Sequence, residues 1–134
     1  MRIKTIFKIN MILIFIQAIS LVLGLFIRDL LNSLFLDAFG EVSSADAIKM
    51  FVTFSLVLGL TIIGIIFLTY GSLSFNDLVI LKRLSFLFFV LTGFIVFPDL
   101  IAICKRDPIA PLPIIIFGLI TLGLFYYGSK KGTL

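Results

Sequence analysis

Residues 48–70 read IKMFVTFSLVLGLTIIGIIFLTY, with a single charge, Lys49, at the edge. A bilayer's hydrocarbon core is about 30 Å thick and takes about 20 apolar residues of α-helix to cross. Only backbone whose polar groups are satisfied internally tolerates that setting. The stretch therefore predicts a transmembrane helix. Three others share its character: 9–27, broken by Asn10, Gln17 and Ser20; 84–103, with Pro98 and Asp99; and 109–127, with Pro111 and Pro113 near its start. The expected fold is an all-α, up-down-up-down four-helix membrane bundle forming one domain over 1–134.

Composition agrees. Of 134 residues, 61% are hydrophobic and only 13% charged, with sixteen Phe and a mean hydropathy of +1.29. Soluble domains are about 25% charged, so a soluble enzyme, a nucleic-acid-binding module and a disordered tail are all excluded. The chain has no His, which removes His-ligated haem, most catalytic zinc sites and Ser-His or Cys-His nucleophile pairs. Cys104 is the sole cysteine, so no internal disulfide or C-x-x-C pair exists. Glycine-rich phosphate loops are absent too. No catalytic residue, metal ligand or cofactor is expected. With no Trp, Tyr70, Tyr126 and Tyr127 are the expected interfacial aromatics.

A net charge of +4 reads as topology and attraction to anionic lipid. Four spans put both termini and the second loop on one side, with Arg2, Lys4, Lys8, Lys82, Arg83, Lys130 and Lys131. The other side holds Arg28, Lys49, Lys105 and Arg106 and most of the acids. The positive-inside rule then puts both termini in the cytoplasm. Arg2, Lys4 and Lys8 ahead of an apolar run, with Ala18-Ile19-Ser20, have the form of a signal peptide. The run continues through Leu25, Phe26 and Ile27, so a retained first span is expected. Ile, Phe, Lys and Asn usage suits an AT-rich bacterial genome and residence in the cytoplasmic (inner) membrane.

The loops carry start and stop signals. Ser43-Ser44-Ala45-Asp46 and Ser74-Phe75-Asn76-Asp77 have capping-box spacing, predicting helix starts near Ser44 and Phe75. Tyr70-Gly71-Ser72 and Tyr127-Gly128-Ser129 predict helix ends. Lys105-Arg106-Asp107-Pro108 predicts a tight turn. Between the first two spans, Leu30, Leu31, Leu34, Phe35, Ala38 and Phe39 form a helical stripe opposite Asp29, Asn32, Ser33 and Asp37. Residues 28–40 are thus expected to form a short amphipathic helix in the outer interface, closing a long connection or serving as a ligand lid. The similarity of 59–64 to 118–123 is what a duplicated helical hairpin would leave.

Asp99 is the most informative polar residue. It lies about five residues inside the third span, on the order of 6–8 Å below the outer boundary. An ionisable group there is costly and points to function or to pairing. Pro98 frees the carbonyl of Phe94 beside it. Arg28 is the natural partner, with Lys105 or Arg106 as alternatives; with Asp29 these residues compose an outer polar cluster of ligand or ion-pair candidates. Ser20-x-x-x-Gly24 and Ser55-x-x-x-Gly59, with Gly64, Gly118 and Gly123, are candidates for close helix packing.

The layout comprises a basic start, an amphipathic segment at 28–40, a glycine-bearing second span, a loop ending in Lys82-Arg83 and a proline-bearing turn into the last helix. It resembles the small four-helix membrane proteins of the DoxX-like group, which implies a four-helix bundle. Small multidrug antiporters need a carboxylate deep in the first helix, where this chain has only Gln17. The expected function is that of a non-enzymatic scaffold, lipid-binding protein or accessory subunit, with membrane lipids, a second copy or a larger membrane complex as partners and no nucleic acid. The alternatives are a small transporter or channel using Asp99, and an enzyme acting on a lipid or quinone at the outer polar cluster.

Overall fold

The computed structural model describes the chain except residues 28, 31, 34, 35, 37–39, 41–43 and 107–111, and only the backbone of 20–22, 24 and 25. Most described residues fall in four long helices: α1 (Ile3–Phe26), α2 (Ala45–Gly71), α3 (Leu78–Cys104) and α4 (Leu112–Lys131). There is no strand among the described residues beyond an isolated bridge between Arg2 and Thr133.

The starts of α1, α2 and α3 each have their own device for the orphan N–H groups of a first turn. The Ser44 hydroxyl accepts from Ala47 N at 3.4 Å, with Asp46 in the first turn of α2. The helix start lies within one residue of the sequence expectation, with Ser44 as the cap where the capping-box spacing pointed to Ser43. The start of α3 does not: Ser74 lies in a 3₁₀ turn (Ser72–Ser74), where its hydroxyl donates to the Gly71 carbonyl. Asp77 caps α3 instead, one carboxylate oxygen accepting from Val79 N at 2.7 Å and Ile80 N at 3.2 Å. A charged acceptor close to two N–H groups is the stronger cap. α1 has no side-chain cap; Ile3 N donates to the Thr133 carbonyl at 2.8 Å, and Thr133 N donates to Met1 O. The two ends of the chain thus complete each other.

α1 packs against α2 and α4, and α4 against α3. Ser85 meets Phe125 while Val96 meets Gly118, so advance along α3 is retreat along α4. Buried Ile3, Ile6, Phe7 and Ile14 from α1 meet Ile62 and Ile65 from α2, Leu81 and Phe88 from α3 and Phe125 from α4. At the centre, the rings of Phe7, Phe88 and Phe125 lie 5.5–6.0 Å apart in edge and tilted contacts, the spacing aromatic quadrupoles favour.

Among the described residues, three helices are long and apolar enough to cross a membrane: α2 with its 3₁₀ extension, α3 and α4. Less than a third of each is buried by the rest of the chain. Phe54, Phe67 and Phe94 are 66%, 69% and 75% exposed. Helices that are apolar all round, with large aromatics outward, need a nonpolar surrounding. The 24-residue α1 carries the apolar run from Ile9.

Of segment 28–40, Asp29, Leu30, Asn32, Ser33 and Leu36 are helical. Gly40 N bonds to the Leu36 carbonyl with Gly40 at φ +72°, a left-handed helix end that favours glycine. Arg28 and most of the expected apolar stripe lie outside the described residues, as do Asp107 and Pro108.

Candidate functional site

Two polar features stand out: a seam inside the bundle and a basic rim at one end. The seam begins on α1, where Asn10 and Gln17 lie two turns apart on one face and point to α4. Asn10, fully buried, donates Nδ2 to the Thr121 carbonyl at 3.3 Å, while its Oδ1 has no partner. Gln17 donates Nε2 to Leu13 O at 3.1 Å and to Thr121 Oγ1 at 3.4 Å. A cavity of about 30 Å³ adjoins Gln17, lined also by Thr92, Thr121 and apolar neighbours including Ile62 and Ile65. That is room for about one water molecule. The groups are neutral amides and hydroxyls, so the seam can donate and accept hydrogen bonds but cannot titrate. Asn10 stood in the sequence only as an interruption of the first apolar run; its spacing from Gln17, about two helical turns, was the available signal.

The packing candidates divide. Gly118 is buried, and a Cβ there would lie 2.9 Å from Val96 Cγ2 and 3.4 Å from Gln17 Oε1; glycine is what lets α1 and α3 close on α4 together. Gly59 and Ser55 are also buried, the Ser55 hydroxyl without a partner. Gly64 and Gly123 have open space where a side chain would be. The side chain of Ser20 and the surroundings of Gly24 lie outside what is described. Gly128 corrects the sequence reading. It does not end a helix, because α4 continues to Lys131. It is buried where a Cβ would meet Ser85 Oγ at 2.5 Å, and Ser85 donates to the Phe125 carbonyl at 2.7 Å.

At the end of the bundle away from the chain termini, Asp99 is half-buried in α3, which runs through Pro98 without breaking. Asp29, Lys105 and Arg106 are exposed, and among the described residues neither Lys105 nor Arg106 pairs with Asp99. Arg106 terminates α3 at φ +60°, its N–H bonded to Ile103 O. Among the described residues no cluster of potential metal ligands occurs.

The opposite end gathers the cations. Arg2 bridges to Thr133, Lys4 Nζ donates to Asn76 Oδ1 at 2.7 Å, and Lys82 Nζ reaches the Lys130 carbonyl at 3.5 Å. These contacts bring the N-terminal segment, the α2–α3 turn and the C-terminal segment to one end of the bundle. Two shallow depressions open there. One, of about 420 Å³, is formed by Lys82, Arg83 and Lys130 over Phe86 and Leu87; the other, of about 470 Å³, by Arg2, Lys4, Lys8 and Asn76.

The chain matches no protein-family model, no curated protein and no solved structure.

Proposed function

We propose that this chain is a non-enzymatic, four-span membrane protein with the layout of the DoxX-like group. It sits up-down-up-down in a cytoplasmic membrane, with its basic end at the anionic cytoplasmic leaflet, where it binds lipid. The observation that carries this reading is the end-to-end division of charge. Arg2, Lys4, Lys8, Lys82, Arg83, Lys130 and Lys131 gather with one acid, Asp77, whereas by sequence Arg28, Lys49, Lys105 and Arg106 share the other end with Asp29, Asp37, Glu41, Asp46, Asp99 and Asp107. Basic residues flanking spans set orientation and attract anionic headgroups, about 1 kcal/mol for each cation near the surface. Exposed Tyr70, Tyr126 and Tyr127 lie toward the same end, as aromatics at a headgroup boundary do. A reporter active only outside the cytoplasm should be silent when fused after Leu134 and active when inserted near Gly40. The reverse pattern overturns the orientation.

A second reading, a small transporter, is favoured by one observation: Asp99 is half-buried in an apolar helix with no counter-charge among the described residues. In liposomes, Asp99→Asn should abolish any substrate-driven proton flux while leaving detergent melting unchanged. Flux that survives the substitution removes this reading.

A further inference from the structure

We propose that the depression between α3 and α4 at the basic end is a binding site for the phosphate of an anionic phospholipid, with the acyl chains lying along α3. It rests on the membrane reading above and adds a particular site to it. Three cations rim the depression: Lys82 and Arg83 from the start of α3 and Lys130 from the end of α4. The contact of Lys82 Nζ with the Lys130 carbonyl holds the ammonium over the helix seam. Arg83 is exposed, its guanidinium free for bidentate contact with phosphate oxygens. No carboxylate lines the depression; Asp77 is occupied by two backbone N–H groups at the start of α3.

The floor decides what kind of phosphate fits. Phe86 and Leu87 each follow a cation by four residues, which sets them about one helical turn, on the order of 6 Å, deeper along α3. Below them Val90, Phe94 and Phe97 continue an exposed apolar track on α3. A charged rim above a continuous apolar track is complementary to a headgroup with its chains, whereas inorganic phosphate would leave the track unused. The second depression lacks this arrangement. Lys4 is engaged with Asn76, and its walls include Thr5 and Asn76 with no aromatic floor.

The test is native mass spectrometry of the full chain released from mixed phosphatidylcholine and phosphatidylglycerol bilayers. The wild type should retain phosphatidylglycerol over phosphatidylcholine. Lys82→Gln with Arg83→Gln should lower that retention on the order of five-fold for each charge removed, and Lys8→Gln, which leaves all three rim cations in place, should lower it by clearly less for its one charge. Lys130→Gln, at an exposed side chain, repeats the test should the double variant fold poorly. Undiminished retention in these variants, or an equal loss in Lys8→Gln, overturns the site. Millimolar inorganic phosphate that strips the lipid as fully as the substitutions do also overturns it. The reporter fusions separate the two proposals: reversed topology with charge-sensitive retention sinks only the orientation, and correct topology with insensitive retention sinks only the site.

Discussion

Single positions in this chain differ sharply in what an added methyl group meets. At Gly128 it would displace the Ser85 hydroxyl from the Phe125 carbonyl and press on Ile6. Gly128→Ala should therefore lower stability by about 1–3 kcal/mol through overpacking and a lost interhelical hydrogen bond, read as detergent melting. Gly123 has nothing within 4 Å. Gly123→Ala should be neutral or stabilising by up to about 1 kcal/mol, because alanine is the better helix former. A destabilised Gly123→Ala would mean that another helix closes on that face. The sequence marks Gly123 as a packing candidate and Gly128 as a helix end; the difference arises from which way each faces, because five residues at 3.6 per turn carry Gly128 about 140° around the helix from Gly123.

Helix boundaries were more legible, because caps act locally. The start of α2 was legible to within one residue from spacing alone, and the Ser44 hydroxyl accepts from its first turn. The α3 start was read three residues too early, since Ser74 and Asp77 both have cap chemistry and only the 3₁₀ turn chooses between them. Asp77→Ala should cost about 0.5–2 kcal/mol and fray the first turn of α3. Ser74→Ala, which loses only a bond to the Gly71 carbonyl, should cost less than half as much. Equal losses in thermal melts would return the cap to Ser74. The Pro98 step behaves as a local feature too, since α3 absorbs it and ends six residues later at Cys104.

Across the whole molecule, a small packed interior has to hold together helices whose exterior is largely nonpolar. Lipid is as apolar as leucine, so outward-facing side chains add little to helix association, and packing has to supply it. Phe7, Phe88 and Phe125 join three helices at one point. Phe7→Ala should open a cavity there and cost on the order of 3 kcal/mol. Phe94→Ala, on the outer surface, should shift the melt by no more than about 0.5 kcal/mol. Comparable losses at both sites would show that the exposed face of α3 is packed against something other than lipid.

The sequence by itself determined the all-helical class, the apolar runs and the grouping of basic residues at one end, because run length, local caps and chain reversal between long helices are properties of order along the chain. Tertiary structure alone decided that Asn10 and Gln17 meet Thr121, that Gly118 and Gly128 are contact points while Gly64 and Gly123 stay open, and that the chain's two ends pair through Ile3 and Thr133. These depend on the rotation and depth of each helix against its neighbour. A helix that is apolar on every side has no amphipathic stripe to announce its inner face. The few interior polar groups and the shapes of the packed side chains settle that face only when the helices come together.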